Sequence, residues 1–264
     1  MLSTRGRRAG GLAAGAAAAL LVTGCSASGG ASADGTLRAA FSGGTAETLN
    51  YFRGPTALDY VRARLVHAPL CELDPASPDG VSYGVVESIE VADDLSEYTL
   101  RVRDGVRFTD GSELTSKDVL YSLRAPVELD GLPFTLLAAR GFDLDAASAP
   151  DASTVVLPTL SPIADGRELV CQSMLAIKDG TKEFTPDTPS SGPFTIAAFE
   201  PGRTTLLERN PGYYGTAPSL ESIELLSIPD GTARANALRQ GQIDFAGGIA
   251  PAQARTSARP TGSR

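Results

Sequence analysis

Metal-binding and redox chemistry have few candidate side chains in this sequence. Its 264 residues include one histidine, His67, and three cysteines, Cys25, Cys71 and Cys171. A structural zinc site normally takes four cysteine or histidine ligands, often in closely spaced pairs. The closest two of these four residues are His67 and Cys71, so we predict no metal site.

A secreted hydrolase is the enzymatic alternative, and the sequence gives it little support. No G-x-S-x-G nucleophile elbow occurs, and no lysine follows a serine at the spacing of an S-x-x-K motif. A Ser-His-Asp triad would have to use His67, which lies in the apolar run "RLVHAPL" and is better explained as a packed structural residue. The acidic pair Asp143 and Asp145 is better explained as solvated surface. We therefore predict a protein that is not an enzyme and needs no cofactor.

The first 25 residues carry chemistry of another kind. Three arginines precede a short apolar run (12–22), which is the pattern of a secretory signal peptide and too short to span a bilayer stably. The following "LVTGC" is similar to a bacterial lipobox that ends at Cys25, although an ordinary signal peptide with an incidental cysteine is the alternative. We expect a signal peptide over 1–24, lipidation at Cys25 and a flexible, small-residue tether over 25–35.

The charge of the chain excludes one large class of partners. The formal net charge is −8, and it falls to −11 without the three arginines of the first 24 residues. A nucleic-acid-binding protein needs basic surface to displace counterions from phosphates. We therefore predict no nucleic-acid partner and a protein that works outside the cytosol.

Strand-like stretches make up much of the chain that would position a site. They include "TLRAAFS" (36–42), "STVVLPTL", "SLESIELLSI" and "QIDFAGG", while "EYTLRVR" alternates with Tyr98, Leu100 and Val102 on one face. "SGPFTIAAFEPGRTTLLERNPGYYG" predicts a hairpin, because the turn at 200–203 has proline and glycine where a type II turn requires them.

Helical stretches alternate with these strands. "TALDYVRARLVHAPL" has apolar residues close to helical spacing. "TSKDVLYSLR" opens a helix with Thr115 as the N-cap and Asp118 three residues later, a variant of the capping box. "DGTARANALRQG" predicts a short helix ended by Gly241, whereas 126–152 carries little pattern. The mixture indicates an α/β or mixed α+β fold.

Four stretches resemble one known family. "LVHAPLCELD", "ESIEVADDLSEYTLRVRDGVRFTDGSELTSKDVLYSL", "SGPFTIAAFEPGRTTLLERNPGYYG" and "IPDGTARANALRQGQIDFA" are similar, in this order, to successive signatures of family 5 extracellular solute-binding proteins. These are the oligopeptide, dipeptide and nickel receptors of ABC importers. The resemblance extends over about 36–250.

The resemblance implies a type II periplasmic-binding fold, in which two lobes enclose a ligand cleft and close by hinge motion. It divides the first lobe into subdomain Ia, over 36–66 and 178–250, and subdomain Ib, over 67–177. We expect the second lobe to be missing from this chain.

The resemblance also indicates three segments that would contact a ligand. The first follows the first strand and contains Pro55, Thr56 and Ala57. The second contributes an aromatic residue from subdomain Ib, here Phe134, which lacks the hydroxyl of a tyrosine. The third is the loop after "GQIDF", with Ala246, Gly247 and Gly248, which offers no polar side chain. Packing or turn geometry is the alternative explanation at each position.

Cys71 and Cys171 both fall in the subdomain Ib that the resemblance implies. An oxidising compartment permits a disulfide between them, and two separately buried thiols are the alternative. Some relatives bind nickel. Because this chain has a single histidine, we consider nickel a less favoured ligand than peptides.

The last residues, 251–264, differ from the rest of the chain. They contain three arginines, no acid and no apolar residue larger than alanine, so we expect them to be disordered. Because members of the family are commonly about twice as long, we expect a truncated form; a natural single-lobe protein is the alternative.

The predicted function is that of a substrate-binding lipoprotein of an ABC transporter, which captures extracellular peptides for import. Its partners would be an oligopeptide or dipeptide, the permease subunits, and the membrane through the lipid anchor. The predicted location is the bacterial cell envelope, on the outer face of the cytoplasmic membrane or in the periplasm. A secreted single-lobe protein or hydrolase without a transport role is the alternative function.

Overall fold

The computed structural model describes residues 35–54, 56–172 and 174–251, and for Phe134 and Leu137 the backbone alone. The predicted signal peptide, Cys25, Pro55, most of the tether and all but the first residue of the predicted tail therefore lie outside the described residues. The strands are β1 (Thr36–Phe41), β2 (Cys71–Leu73), β3 (Val81–Tyr83), β4 (Val86–Val91), β5 (Glu97–Val102), β6 (Ser148–Asp151), β7 (Thr154–Pro158), β8 (Phe194–Glu200), β9 (Thr204–Arg209), β10 (Ser222–Ser227) and β11 (Phe245–Ala246). The helices are α1 (Ala57–Val66), α2 (Ser116–Glu128), α3 (Leu137–Gly141), α4 (Gly166–Cys171) and α5 (Gly231–Arg239), with a 3₁₀ helix at Pro133–Leu136.

The first sheet has the strand order β11-β1-β10-β9-β8. Strand β1 runs parallel to both β10 and β11, whereas β8, β9 and β10 are antiparallel neighbours. Helix α1 packs on this sheet through Leu58 and Val66, which share an apolar cluster with Leu207, Ile223 and Leu225. The sheet therefore unites the start of the chain with its last third.

The β8–β9 hairpin has the turn that its sequence predicts. The N–H of Arg203 donates to the carbonyl of Glu200 over 3.0 Å. Gly202 has a φ of +73°, a value that a type II turn requires at this position and that glycine adopts without strain. The turn thereby fixes the register of two strands in the first sheet.

The second sheet, β4-β5-β7-β6, is antiparallel throughout and is accompanied by the β2–β3 hairpin. The alternation predicted for β5 is confirmed, since Tyr98, Leu100 and Val102 are buried. Helix α2 also begins as predicted: the carboxylate of Asp118 accepts hydrogen bonds from the backbone N–H of Thr115 over 2.7 Å and from its hydroxyl over 3.0 Å. Strands and helices of this part enclose the larger apolar core.

The two sheets are joined by adjacent crossing segments, 67–70 and 174–177. Leu70 donates its N–H to Met174 over 3.0 Å, and Ala176 donates to Ala68 over 2.8 Å. A shared cluster that includes Phe52 packs beside them. All strands of the first sheet lie within the ranges predicted for subdomain Ia and those of the second within subdomain Ib, but the subdomain bounds themselves stay a prediction.

The structure contains regular elements that the sequence pattern did not indicate. The stretch 126–152 holds the 3₁₀ helix, α3 and β6, each too short to establish a period, and strands β2, β3 and β4 and helix α4 were also not predicted. Conversely, the strand predicted for "QIDFAGG" is limited to β11, because only two of its residues pair with β1. Among the described residues, no helix has the length and apolar character needed to cross a bilayer.

Candidate functional site at the carboxyl edge of the first sheet

Three loops meet at one edge of the first sheet. Because β1, β10 and β11 are parallel, with Phe41 opposite Ser227 and Ala40 opposite Ala246, their carboxyl ends lie together. Ligands of open α/β sheets bind in the crevice outside such carboxyl ends. The loops that leave this edge begin at residues 42, 228 and 247, and two of them carry residues that the sequence analysis selected.

The loop after β1 is held by a buried ion-pair network centred on Arg62 of α1. The guanidinium of Arg62 donates to Glu47 over 2.7 Å and to Asp59 over 3.0 Å, and all three side chains are at most 2% exposed. It also donates to the hydroxyl of Thr205 over 2.9 Å and to the carbonyl of Thr48 over 3.1 Å. The network attaches the loop to both α1 and the first sheet.

Thr56 and Ala57 lie where this loop enters α1. The N–H of Thr56 donates to the carboxylate of Asp59 over 3.0 Å, and its hydroxyl donates to the same carboxylate over 2.6 Å. The polar groups of Thr56 therefore form a capping box. Ala57 is the exposed first residue of the helix, and ligand contact by this segment stays a prediction.

The loop after β11 packs tightly against β1. Gly247 donates its N–H to Ala40 over 2.8 Å, and a Cβ at Gly247 would lie 2.3 Å from the ring of Phe41, so any larger residue would force the ring to shift. Gly248 is exposed and has a φ of +64°. Ala246 is half-buried in β11.

Arg38 and Asp244 fix the strand that carries this loop. The carboxylate of Asp244 accepts from the backbone N–H of Arg38 over 2.9 Å and from its Nε over 3.2 Å. These hydrogen bonds hold the pKa of Asp244 below its ordinary value. The short strand β11 is thus anchored to β1 by a side chain as well as by its ladder.

Arg234 of α5 is a site residue that sequence reasoning missed. Its side chain is 3% exposed and donates to the carbonyls of Gly247 and Gly248, each over 2.9 Å, as well as to those of Ile228 and Pro229. It therefore ties the loop after β10 to the loop after β11. The one signal available was an arginine on the buried face of a short helix, three residues before the buried Ala237.

The segment with Phe134 approaches the first loop through its backbone. Leu132 donates its N–H to the carbonyl of Phe52 over 2.7 Å, and Phe134 follows in the 3₁₀ helix. The side chain of Phe134 lies outside the described residues. The structure thus brings the backbone of this segment next to the loop after β1 and brings the 247–248 loop next to Phe41.

The environment of His67 is apolar. The residue is buried, and desolvation lowers the pKa of its imidazole to about 4. Among the described residues, none forms a hydrogen bond with Nδ1, whereas a catalytic triad needs a carboxylate there. These surroundings fit the packed structural role expected from the sequence.

Cys71 and Cys171 are joined in a disulfide, with their Cα atoms 4.6 Å apart. The bond connects β2 to the end of α4 across a sequence separation of 100 residues. Both cysteines are buried in the core of the second sheet.

The sequence profile of family 5 (Middle) of the bacterial extracellular solute-binding proteins matches residues 80–262. The chain belongs to this family. Its relatives include the probable D,D-dipeptide-binding periplasmic protein DdpA of Escherichia coli, 28% identical over 66% of this chain and 35% of DdpA. The oligopeptide-binding protein AppA of Bacillus subtilis is 29% identical over 62% of this chain and 32% of AppA. The chain therefore spans about a third of the length of these curated relatives.

The solved structures agree with the family's fold. AppA of Bacillus subtilis, in complex with a nonapeptide, matches 84% of this chain with a TM-score of 0.71 and 19% identity. The match covers 45% of that structure, which agrees with a single lobe. The described residues thus have the mixed α/β fold of type II periplasmic-binding proteins, as the resemblance in sequence implied.

Proposed function

We propose that this chain belongs to the substrate-binding component of an ABC importer and takes part in capturing peptides outside the cytoplasm. The observation that carries the proposal is the family match over 80–262, together with relatives named for binding dipeptides and oligopeptides. A secreted single-lobe protein or a hydrolase without a transport role is the alternative.

The proposed ligand site is the carboxyl edge of the first sheet, with contacts from Pro55, Thr56 and Ala57, from Phe134, and from 246–248. The geometry supports main-chain recognition, because Thr56 uses its polar side chain in a helix cap and the 246–248 loop has no polar side chain. Main-chain contacts suit a receptor for peptides, since each peptide offers the same backbone groups whatever its side chains.

Peptide binding is tested on the purified chain by native mass spectrometry and calorimetry with a pool of di- to pentapeptides. We expect saturable but weak binding of peptides, because the described residues form one lobe of a two-lobed fold, and no turnover of a chromogenic ester. Ni²⁺ is added in a separate titration. Binding of Ni²⁺ without any binding of peptides, or ester turnover that disappears in His67→Ala, would contradict the proposal.

A role in import is tested in the cell of origin. Deletion of the gene is expected to reduce uptake of labelled peptides, and the intact gene is expected to restore it. Undiminished uptake of every peptide in the deletion strain would exclude a role in import.

We also propose that the signal peptide over 1–24 is removed and that Cys25 carries the lipid anchor. The support is the basic segment, the short apolar run and "LVTGC". Globomycin is expected to leave unprocessed precursor, and Cys25→Ser is expected to move the protein from the membrane fraction to the soluble fraction. Unchanged processing and location in both experiments would exclude lipidation.

A further inference from the structure

We propose that Arg234 positions the loop after β11 so that the backbone N–H groups of Gly248 and Ile249 bind a carboxylate of the ligand. The inference rests on the proposed peptide-binding function and deepens it. It identifies the feature of the peptide that this edge of the first sheet recognises and the side chain responsible.

The guanidinium of Arg234 is committed to backbone carbonyls. Its Nε donates to Gly247 and its Nη2 to Gly248, each over 2.9 Å, while Nη1 donates to Ile228 and to Pro229. Four of its five N–H donors are thereby used. Since the carbonyls of Gly247 and Gly248 converge on one buried group, the orientation of two successive peptide planes is fixed.

This orientation determines where the neighbouring N–H groups point. In a trans peptide the N–H is directed opposite to the C=O, and the described residues contain no cis peptide bond. The N–H groups of Gly248 and Ile249 therefore point away from Arg234. Among the described residues, neither has a hydrogen-bond acceptor. Gly248 is exposed and Ile249 half-buried, so a ligand can reach this donor pair.

The charge of Arg234 favours an anion at this donor pair. Within the described part of the chain, no carboxylate forms an ion pair with this buried guanidinium. Hydrogen bonds from a cation also polarise the two peptide groups and strengthen their N–H groups as donors. The carboxylate of Asp230, at the start of α5, is engaged as the N-cap acceptor of the N–H of Ala233 over 2.7 Å.

A carboxylate on an apolar background fits the surface around the donor pair. Phe245 is 49% exposed, and the centroid of its ring lies 5.6 Å from that of Phe41 at the same strand ends. The free carboxyl end of a peptide with an apolar last residue combines both properties. Backbone N–H groups are well suited to it, because hydrogen bonds to an ionised acceptor are about twice as strong as neutral ones.

The test compares two peptide pools that differ only at the carboxyl end. Di- to pentapeptides without aspartate or glutamate are prepared with a free carboxylate and, separately, as C-terminal amides. We expect the free acids to bind at least ~10-fold more tightly than the amides. In a chain labelled with ¹⁵N-glycine and ¹⁵N-isoleucine, the amide signals of Gly248 and Ile249 are expected to shift with the acids and with acetate.

Two variants of α5 assign the effect to Arg234. Arg234→Met keeps an unbranched side chain but removes the charge and its donors, and it is expected to bring the acid-to-amide ratio near one. Arg239→Met is the matched control, because the hydrogen bonds of Arg239 to other described residues stay within its own helix, to Ala235 and Asn236. The control is expected to keep the full preference, and the amide spectrum reports whether each variant is folded.

The outcomes separate this inference from the proposed function. Equal binding of acids and amides, or a full preference in folded Arg234→Met, would overturn the inference and leave peptide binding intact. If no peptide binds, the proposed function fails, and the acetate titration alone tests whether the donor pair binds a carboxylate. Shifts of the amide signals of Gly248 and Ile249 would support carboxylate binding, and unshifted signals would overturn it. If Arg234→Met does not fold, the inference is tested on the unaltered chain, by the comparison of the acid and amide pools and by the acetate titration.

Discussion

Removing Arg62, the buried cation of α1 that holds the loop after β1, is expected to destabilise the fold strongly. In Arg62→Met the aliphatic stem is retained, but Glu47 and Asp59, 1% exposed each, lose the partner that lies 2.7 and 3.0 Å away. Loss of one member of a buried ion pair costs about 3–5 kcal/mol, because the remaining charge stays desolvated. With a denaturation slope of ~2 kcal/mol/M, the urea midpoint is expected to fall by about 2 M.

The assay is urea denaturation followed by circular dichroism, with Arg203→Met as the matched control. The side chain of Arg203 is 79% exposed and pairs with Glu200 over 2.9 Å, so its loss is expected to cost less than ~0.5 kcal/mol. A double-mutant cycle adds Glu47→Gln, which is expected to cost less in Arg62→Met than in the unaltered chain. The reasoning would be refuted if the stability losses of the two single variants added to that of the double variant within about 0.5 kcal/mol. It would also be refuted if Arg62→Met lowered the free energy of unfolding by less than about 1 kcal/mol.

Three further predictions concern the cores and the sheet edge. Without reductant, Cys71 and Cys171 are expected to resist alkylation, and alkylation of both thiols would contradict the disulfide. Cys171→Ser is expected to lower the free energy of unfolding, measured by urea denaturation, by about 2–4 kcal/mol. Because burial lowers the pKa of His67 from 6.5 to about 4, the unfolded chain binds a proton between these values that the folded chain does not. When the pH drops from 7 to 5, the free energy of unfolding is therefore expected to fall by about 2 kcal/mol more in the unaltered chain than in His67→Phe. If both chains lose the same stability over this pH range, the pKa of His67 is not lowered by folding. Gly247→Ala is expected to destabilise the fold by about 1–3 kcal/mol in thermal unfolding, because its Cβ would meet the ring of Phe41. Adding Phe41→Leu to Gly247→Ala is expected to recover part of the lost stability, and no recovery would contradict the clash.

Local signals in the sequence predicted the elements whose causes are local. The start of α2 depends on Thr115 and Asp118, three residues apart, and the β8–β9 turn depends on the sequence at 200–203. The strand β5 was predictable because one of its faces is buried and the other is not, so its side chains alternate. Such features need no knowledge of the rest of the chain.

The site was less predictable, because its determinants join distant parts of the chain. The hydrogen bonds of Arg234 depend on where β11 lies, and β11 is a strand only through two residues paired with β1. The sequence likewise left the pairing of Cys71 and Cys171 open, since the two cysteines are 100 positions apart and the fold between them brings them together. The resemblance to a family indicated the ligand segments, but not the buried cation that orients one of them.

The pairing of β1 also has a consequence for the order of folding. Thr36 lies beside Ser222, 186 positions later in the chain, and the other neighbour of β1 comes later still. At a synthesis rate of 5–20 residues per second, roughly 10–40 s pass between the synthesis of β1 and that of the strands that pair with it. Strands β4 to β7 pair with one another much earlier, so the second sheet can form while both edges of β1 are unpaired. The newly made chain thus carries an aggregation-prone strand near its start until almost all of the described region has been synthesised.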